Sequence, residues 1–347
     1  MFTYRFFIYG FHSLLKSVGA TMNHEQSWQP TTTHKTRVAR AELLCQIRAF
    51  FQCRDVLEVE TPVLSAGTVT DEHIEGFDTQ FLYATTGKPV SLFLQTSPEY
   101  AMKRLLCAQS GAIYQISKAF RHEGEGRWHN PEFTMLEWYR PGFDHFMLMK
   151  EVDTLLHEVL GATTDSEMIT YQNAFITHLG IDPLTSPTSS IHQKMLECGI
   201  DIDGMESLSK DSQLQLLFSY CIEPKIGLKA PCFVYNFPAS QAALAKISPS
   251  DTRVAERFEV YFKGIELANG FNELSEPAEQ RERFKQDNKK RALSGLPEKP
   301  IDEHFLQALE SGLPECAGVA LGIDRLLMLK VGASHIQDVI NFPVSRA

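Results

Sequence analysis

The sequence predicts an α+β fold, a mainly antiparallel sheet flanked by helices. Strand-like segments cluster in the chain instead of alternating regularly with helices. A long helical segment near the beginning feeds directly into a strand, and an apolar, Gly-punctuated strand near the end runs into a final helix.

From Arg37 to Arg54, apolar residues at Val38, Ala41, Leu44, Ile47 and Phe51 keep helical spacing, and VLEVETP then extends to Pro62 as a strand. SLFLQ (91 to 95) reads as a strand, PEYAMKRLLCA (98 to 108) as a helix opened by Pro98, and AIYQIS (112 to 117) as a strand. A loop with Gly124 and Gly126 leads into the alternating strand PEFTMLEWYR (131 to 140). Residues 144 to 160 are predicted helical, and 161 to 230 mostly helical with turns at Gly180, Pro183 and Pro187. Strands return at CFVYNFP (232 to 238) and RFEVYFKGIEL (257 to 267), before helices near 276 to 294 and 302 to 311. AGVALGIDRLLMLKVGA closes the pattern. Residues 37 to 347 thus form one domain behind a tail at 1 to 36. Residues 1 to 21 are aromatic-rich and lightly basic but broken at Gly10, and they read as an over-extended translation start ahead of Met22.

With 347 residues, 43% hydrophobic and 22% charged, the chain is expected to fold as a soluble globular protein. Its net charge of -10 leans against a large nucleic-acid-binding surface. Seven scattered cysteines, none in a C-x-x-C pair, indicate neither a disulfide framework nor a zinc site. No apolar run approaches the roughly 20 residues that span a bilayer, so a cytoplasmic protein is expected.

Four segments carry candidate chemistry. On the strand after Pro131, the two-residue period puts Phe133, Met135, Glu137 and Tyr139 on one face. A buried Glu137 needs a cationic partner, which a ligand ammonium or a structural Arg or Lys would supply. FRHEGEGRWHNPEF (120 to 133) sets Arg121, Glu123, Arg127, His129 and Asn130 around a Gly-containing hairpin, suited to phosphate and base recognition or simply solvated. In GIELANGFNEL, Glu266 and Glu273 lie seven apart and would face opposite ways on an unbroken strand; an interruption at Asn269-Gly270 is expected to re-aim them. Two carboxylates near a triphosphate suit Mg²⁺, although surface carboxylates explain them singly. GVALGIDRLLML (318 to 329) gives a Gly-rich strand with Arg325 at the start of a helix.

In this order the segments resemble the motifs of class II aminoacyl-tRNA synthetases. The helix and strand ending at Pro62 resemble motif 1, FRHE through PEF motif 2, and GVALGIDR motif 3; HNPEFTMLEWYRP and IELANGFNEL are similar to the lysyl branch. The resemblance implies ATP and Mg²⁺ as cofactors. It places Arg121 on the α-phosphate, Glu123 toward the adenine amino group, Phe133 against adenine, and Arg325 over its other face and on the γ-phosphate. His122, His129, Asn130, Leu267 and Gly322 would complete the ATP site, with Glu266 and Glu273 holding Mg²⁺. Ser97, Pro98, Glu99, Glu137, Tyr139, Glu273 and Ala320 would line the amino-acid pocket. The family also implies a homodimer built on motif 1.

Departures narrow the family. Lysyl-tRNA synthetases carry an anticodon-binding domain before motif 1, and the 36 residues ahead of Arg37 have no room for one. His122 stands where the family usually has Asn, Trp128 where an Arg often sits, and Ala320 where lysyl enzymes have Gly. SWQP, FPASQAALA (237 to 245) and RVAERFEVYFKGIELANGF (253 to 271) are similar to the elongation factor P (R)-β-lysine ligase family. That resemblance implies activation of (R)-β-lysine and its transfer to a lysine of elongation factor P, with no tRNA. A minimal tRNA-charging lysyl enzyme and a non-catalytic, ligand-binding paralogue are the alternatives.

Overall fold

Thr33 starts the first helix, α1 (His34–Gln52), by accepting a hydrogen bond from the Thr36 amide, so the helix begins ahead of the expected Arg37. Its buried face is Leu43, Ile47, Phe50 and Phe51, while Val38 remains 42% exposed. The apolar stripe expected from Val38 and Ala41 is therefore turned: the helix presents the 43/47/50 spacing to its own domain, where Phe51 stacks on Tyr114 at 4.4 Å. The computed structural model describes residues 28–85, 87–161, 164–202 and 204–347; the expected surplus start at 1 to 21 lies outside them. Thr31 pairs with the backbone of Ile340 and Asn341, so this part of the expected tail is tied to the C-terminal segment.

After α1 come β1 (Leu57–Glu58), β2 (Leu64–Ser65), β3 (Asp78–Leu82), β4 (Pro89–Leu94), α2 (Glu99–Cys107), β5 (Ile113–Phe120), β6 (Glu132–Pro141) and α3 (His145–Leu160). The middle holds β7 (Glu167–Thr170), α4 (Tyr171–Leu179), α5 (Thr188–Glu197), α6 (Lys210–Leu217) and β8 (Cys232–Pro238). The last third is β9 (Val254–Phe262), β10 (Ile265–Asn272), α7 (Pro277–Leu293), α8 (Glu303–Gly312), β11 (Cys316–Gly322) and α9 (Ile323–Val331).

Eight strands form one sheet in the order β1-β5-β6-β11-β10-β9-β8-β7. Only the edge pairs β1 with β5 and β7 with β8 are parallel, so the predicted mainly antiparallel sheet is present. A smaller sheet, β2-β4-β3, stands beside it. One face of the large sheet buries the main core against α1, α3 and α9, with Trp138 fully buried and its Nε1 donating to Glu151. Helices α4 to α6 pack a second core on β8, and α2 with α8 a third.

RFEVYFKGIEL, expected as one strand, is a hairpin: Lys263 and Gly264 both take positive φ (52° and 71°) and turn β9 into β10. The interruption in β10 also falls elsewhere than expected. Asn269 and Gly270 sit in regular register with β9 and β11, and the shift lies between Glu266 and Ala268. Leu267 and Ala268 both turn into the core. That bulge is what brings Glu266 to the cleft side of the strand. Gly270 is needed for packing, since a Cβ there would lie 2.4 Å from the Phe258 ring.

Candidate active site

The sheet face opposite the main core floors a cleft of about 2550 Å³, ample for a nucleotide and an amino acid together. Strand register builds its floor. Gly318, Ala320 and Gly322 of β11 pair with Tyr139, Glu137 and Met135 of β6, so three small residues clear space beside the side chains that alternation was expected to align. A Cβ at Gly318 would lie 2.3 Å from the Tyr139 ring and 2.4 Å from Glu273. At Gly322 the nearest atoms belong to Arg325, at 3.7 Å or more, which leaves that position open.

At one end of the cleft lies a buried acidic pocket. Tyr139 Oη donates to Glu137 Oε1 at 2.6 Å, and Ser97 Oγ to Oε2 at 2.8 Å. Ser97 also accepts from the Glu99 amide, 3.1 Å, which fixes the first turn of α2. Burial and then the Glu99 charge push the Glu137 carboxyl up to about 7. Lys103, wholly buried, reaches Glu99 at 2.6 Å and Glu273 at 2.5 Å. Burial opposes its charge, but the two carboxylates outweigh that and raise it. Pro98 precedes α2 and lies outside the cleft wall.

The other end carries two arginines. Arg121 lies over the Phe133 ring, 5.3 Å from its centroid, with Nε donating to Thr96 O. Arg325, on the first turn of α9, donates to Glu266 O at 2.9 Å and to Trp128 O at 3.3 Å. Its Nη2 lies 2.9 Å from His129 Nε2. Burial and then Arg325 lower His129 to about 4, so the neutral ring accepts this hydrogen bond. Glu123 approaches the same ring at 3.7 Å.

Several expected contributors are placed differently. His122 does not line the cleft: its ring meets Phe77 and its amide donates to Glu75 O. Asn130 lines the cleft, and its amide donates to Glu132 O and accepts from the Val344 amide, pinning the hairpin to the C-terminal segment. Trp128 packs against the main core beneath Arg127, so its ring is structural while its carbonyl serves Arg325. Leu267 packs into the core and also lines the cleft.

The two carboxylates expected to hold Mg²⁺ have different surroundings. Glu273 is 2% exposed and bound to Lys103, at the amino-acid end. Glu266 keeps company with Glu259 and Glu223 instead. Burial raises Glu259, with the Glu266 charge adding to it, and burial followed by Glu266 and Glu259 pushes Glu223 up to about 8. Among the described residues no three ligands close into a cage, and Mg²⁺ bound with phosphates and water needs none. Glu259 already accepts hydrogen bonds from Arg257 and Tyr261, whereas the Glu266 side chain is 40% exposed on the cleft, so Glu266 is the open oxygen donor that fits Mg²⁺ bound with phosphates and water.

The model for tRNA synthetases class II (D, K and N) matches residues 26–346. The chain belongs to that family. Among curated relatives, this class II synthetase is 54% identical to a protein of Proteus mirabilis (strain HI4320), over 94% of this chain and 100% of the relative. It is 58% identical to one of Vibrio cholerae serotype O1, over 92% and 98%. Both are named "Elongation factor P--(R)-beta-lysine ligase". Within the class II frame, sequence reasoning missed Lys103, Glu259, Glu223 and Gly318. Glu259, seven residues before Glu266, carried the same spacing signal as Glu273; Lys103, one turn after the expected pocket residue Glu99, carried only an ordinary i,i+4 spacing.

Proposed function

We propose that the chain is an ATP-dependent ligase that activates (R)-β-lysine as an acyl-adenylate and transfers it to the ε-amino group of a lysine on elongation factor P. One observation carries the reading: a buried acidic pocket opens into the same cleft as Arg121, Arg325 and Glu266. A substrate with amino groups at one end and a carboxylate at the other matches that polarity. The name shared by relatives more than 50% identical supplies the particular substrates.

In the first step a substrate carboxylate oxygen attacks the α-phosphorus of ATP and pyrophosphate leaves. Arg121 draws the carboxylate and α-phosphate together, while Arg325, held by Glu266 O and Trp128 O, neutralises charge on the leaving group. Mg²⁺, held by Glu266 with phosphate and water oxygens, would add charge neutralisation on the phosphates. Glu137, Tyr139 and Ser97 take the terminal ammonium, and Glu99 the amine nearer the carboxylate. In the second step the neutral acceptor amine attacks the acyl carbon, AMP leaves, and an amide forms. The acidic net charge gives no broad polyanion surface, in keeping with a protein acceptor.

No helix of the described residues is long and apolar enough to cross a membrane, and we place the reaction in the cytoplasm. Exposed Leu57, Leu64, Phe81 and Leu82, on β1 and the small sheet, support a homodimer through that side; a fully active monomer by light scattering would remove it. The activation half is tested by ATP-pyrophosphate exchange with each lysine isomer. (R)-β-Lysine should support exchange best, and Arg121→Ala or Arg325→Ala should each cost on the order of 10²-fold or more. Exchange indifferent to the amino acid, or undiminished in either variant, would overturn the reading.

A further inference from the structure

Lys103 has no part in the activation chemistry above, yet it is the most deeply placed charge in the pocket. It lies wholly buried on α2, one turn after Glu99, with its Nζ 2.6 Å from Glu99 and 2.5 Å from Glu273 and 5.9 Å from the Phe305 ring centroid. An ammonium so far from water persists only where carboxylates face it. Glu137, by contrast, is held only by the neutral hydroxyls of Ser97 and Tyr139.

The cluster therefore contains three carboxylates, the buried Glu137 and Glu273 and the half-buried Glu99, and one ammonium. Fully ionised, it carries two negative charges, three minus one. Two ligand ammonium groups bring it to neutrality, with the substrate carboxylate drawn off toward Arg121. Without Lys103 the same two groups would leave one buried carboxylate unmatched; with one ammonium fewer on the ligand, the intact pocket would be left in the same condition.

We propose that Lys103 is a specificity-determining residue that sets the pocket's charge count, and thereby selects amino acids carrying two ammonium groups. The proposal rests on the reading that this pocket takes the amino acid. Lys103 touches two of the three carboxylates and leaves the third to neutral donors, which divides the pocket into one site for each amine. The strand register contributes by bringing Glu273, from the end of β10, against a helix that begins 174 residues earlier in the chain, at Glu99.

The test is direct binding of (R)-β-lysine to the full-length protein by calorimetry, without ATP. Lys103→Met removes the positive charge at nearly constant volume, and should weaken binding at least 30-fold. Adding Glu273→Gln to it returns the count to two negative charges, and the double variant should bind at least tenfold more tightly than Lys103→Met alone. A double variant no tighter than Lys103→Met would overturn the charge-count role, because independent structural losses accumulate instead of cancelling.

Glu273→Gln alone provides an arm that does not depend on how Lys103→Met folds. It leaves one negative charge, so preference should shift at least tenfold toward a β-amino acid of the same length without the terminal amine. An unchanged ratio of affinities would also overturn the proposal. If the wild-type protein binds no diamino acid, both the pocket reading and the role of Lys103 fall; normal wild-type binding without compensation removes the Lys103 role alone.

Discussion

Glu137 receives hydrogen bonds from two neutral hydroxyls, while burial and the Glu99 charge push its carboxyl up to about 7. At pH 6 the empty pocket therefore holds a proton on Glu137, which a ligand ammonium must displace; at pH 8 that proton is gone. Binding should strengthen as pH rises, with affinity for (R)-β-lysine about tenfold weaker at pH 6 than at pH 8. Calorimetry at the two values checks this, and equal affinities would contradict the placement of the ammonium at Glu137. Ala320 governs a different choice. It pairs with Glu137 on one side and Asn269 on the other, in the floor where small residues leave room for substrate. In a β-amino acid the carboxylate lies one methylene further from the nearer amine, while its distance from the terminal amine is unchanged, so the floor should matter where the nearer amine sits. One methyl in a packed site is worth about 1 to 3 kcal/mol, and Ala320→Gly should improve α-lysine relative to β-lysine by tenfold or so. The kcat/KM ratio of the two isomers measures it; an unchanged ratio refutes it.

Strand β10 shows how much of the site its own residues announce. Alternation along β6 was enough to align Glu137 with Tyr139, because a strand bonded on both sides keeps its period. In β10 the period breaks at Leu267, and local sequence marks Asn269-Gly270 as the better breaker. Gly270 is instead required by Phe258 on β9 and Val319 on β11, contacts supplied by other strands. Gly270→Ala should overpack that contact and cost about 1 to 3 kcal/mol of stability, lowering the melting temperature by several degrees. A melting curve unchanged from wild type would put the glycine's role elsewhere. The same dependence on distant partners hid Lys103, whose burial comes from Glu273 and Phe305, and turned α1 so that Leu43 and Phe50 went inward rather than Val38 and Ala41. It also hid the partners of β4 in the small sheet: that strand was expected at SLFLQ, but β3 beside it is exposed along its whole length.

Across the molecule, one sheet joins an end with Arg121 and Arg325 to a buried acidic pocket within a single cleft, an arrangement the order of the motifs leads one to expect. What the ordering did not settle was which carboxylates belong to which end. Glu273 goes to the amino-acid end through Lys103, and Glu266 joins Glu259 near Arg325. The central claim is that this cleft delivers (R)-β-lysine to a protein rather than to RNA. Its most direct test is the mass of purified elongation factor P after incubation with the enzyme, ATP, Mg²⁺ and (R)-β-lysine in RNA-free conditions, beside a parallel reaction containing total tRNA. A mass gain of one β-lysyl group, lost when the acceptor lysine is replaced by Arg, with no label on tRNA, is the predicted result. Faster charging of tRNA than modification of elongation factor P would contradict the account.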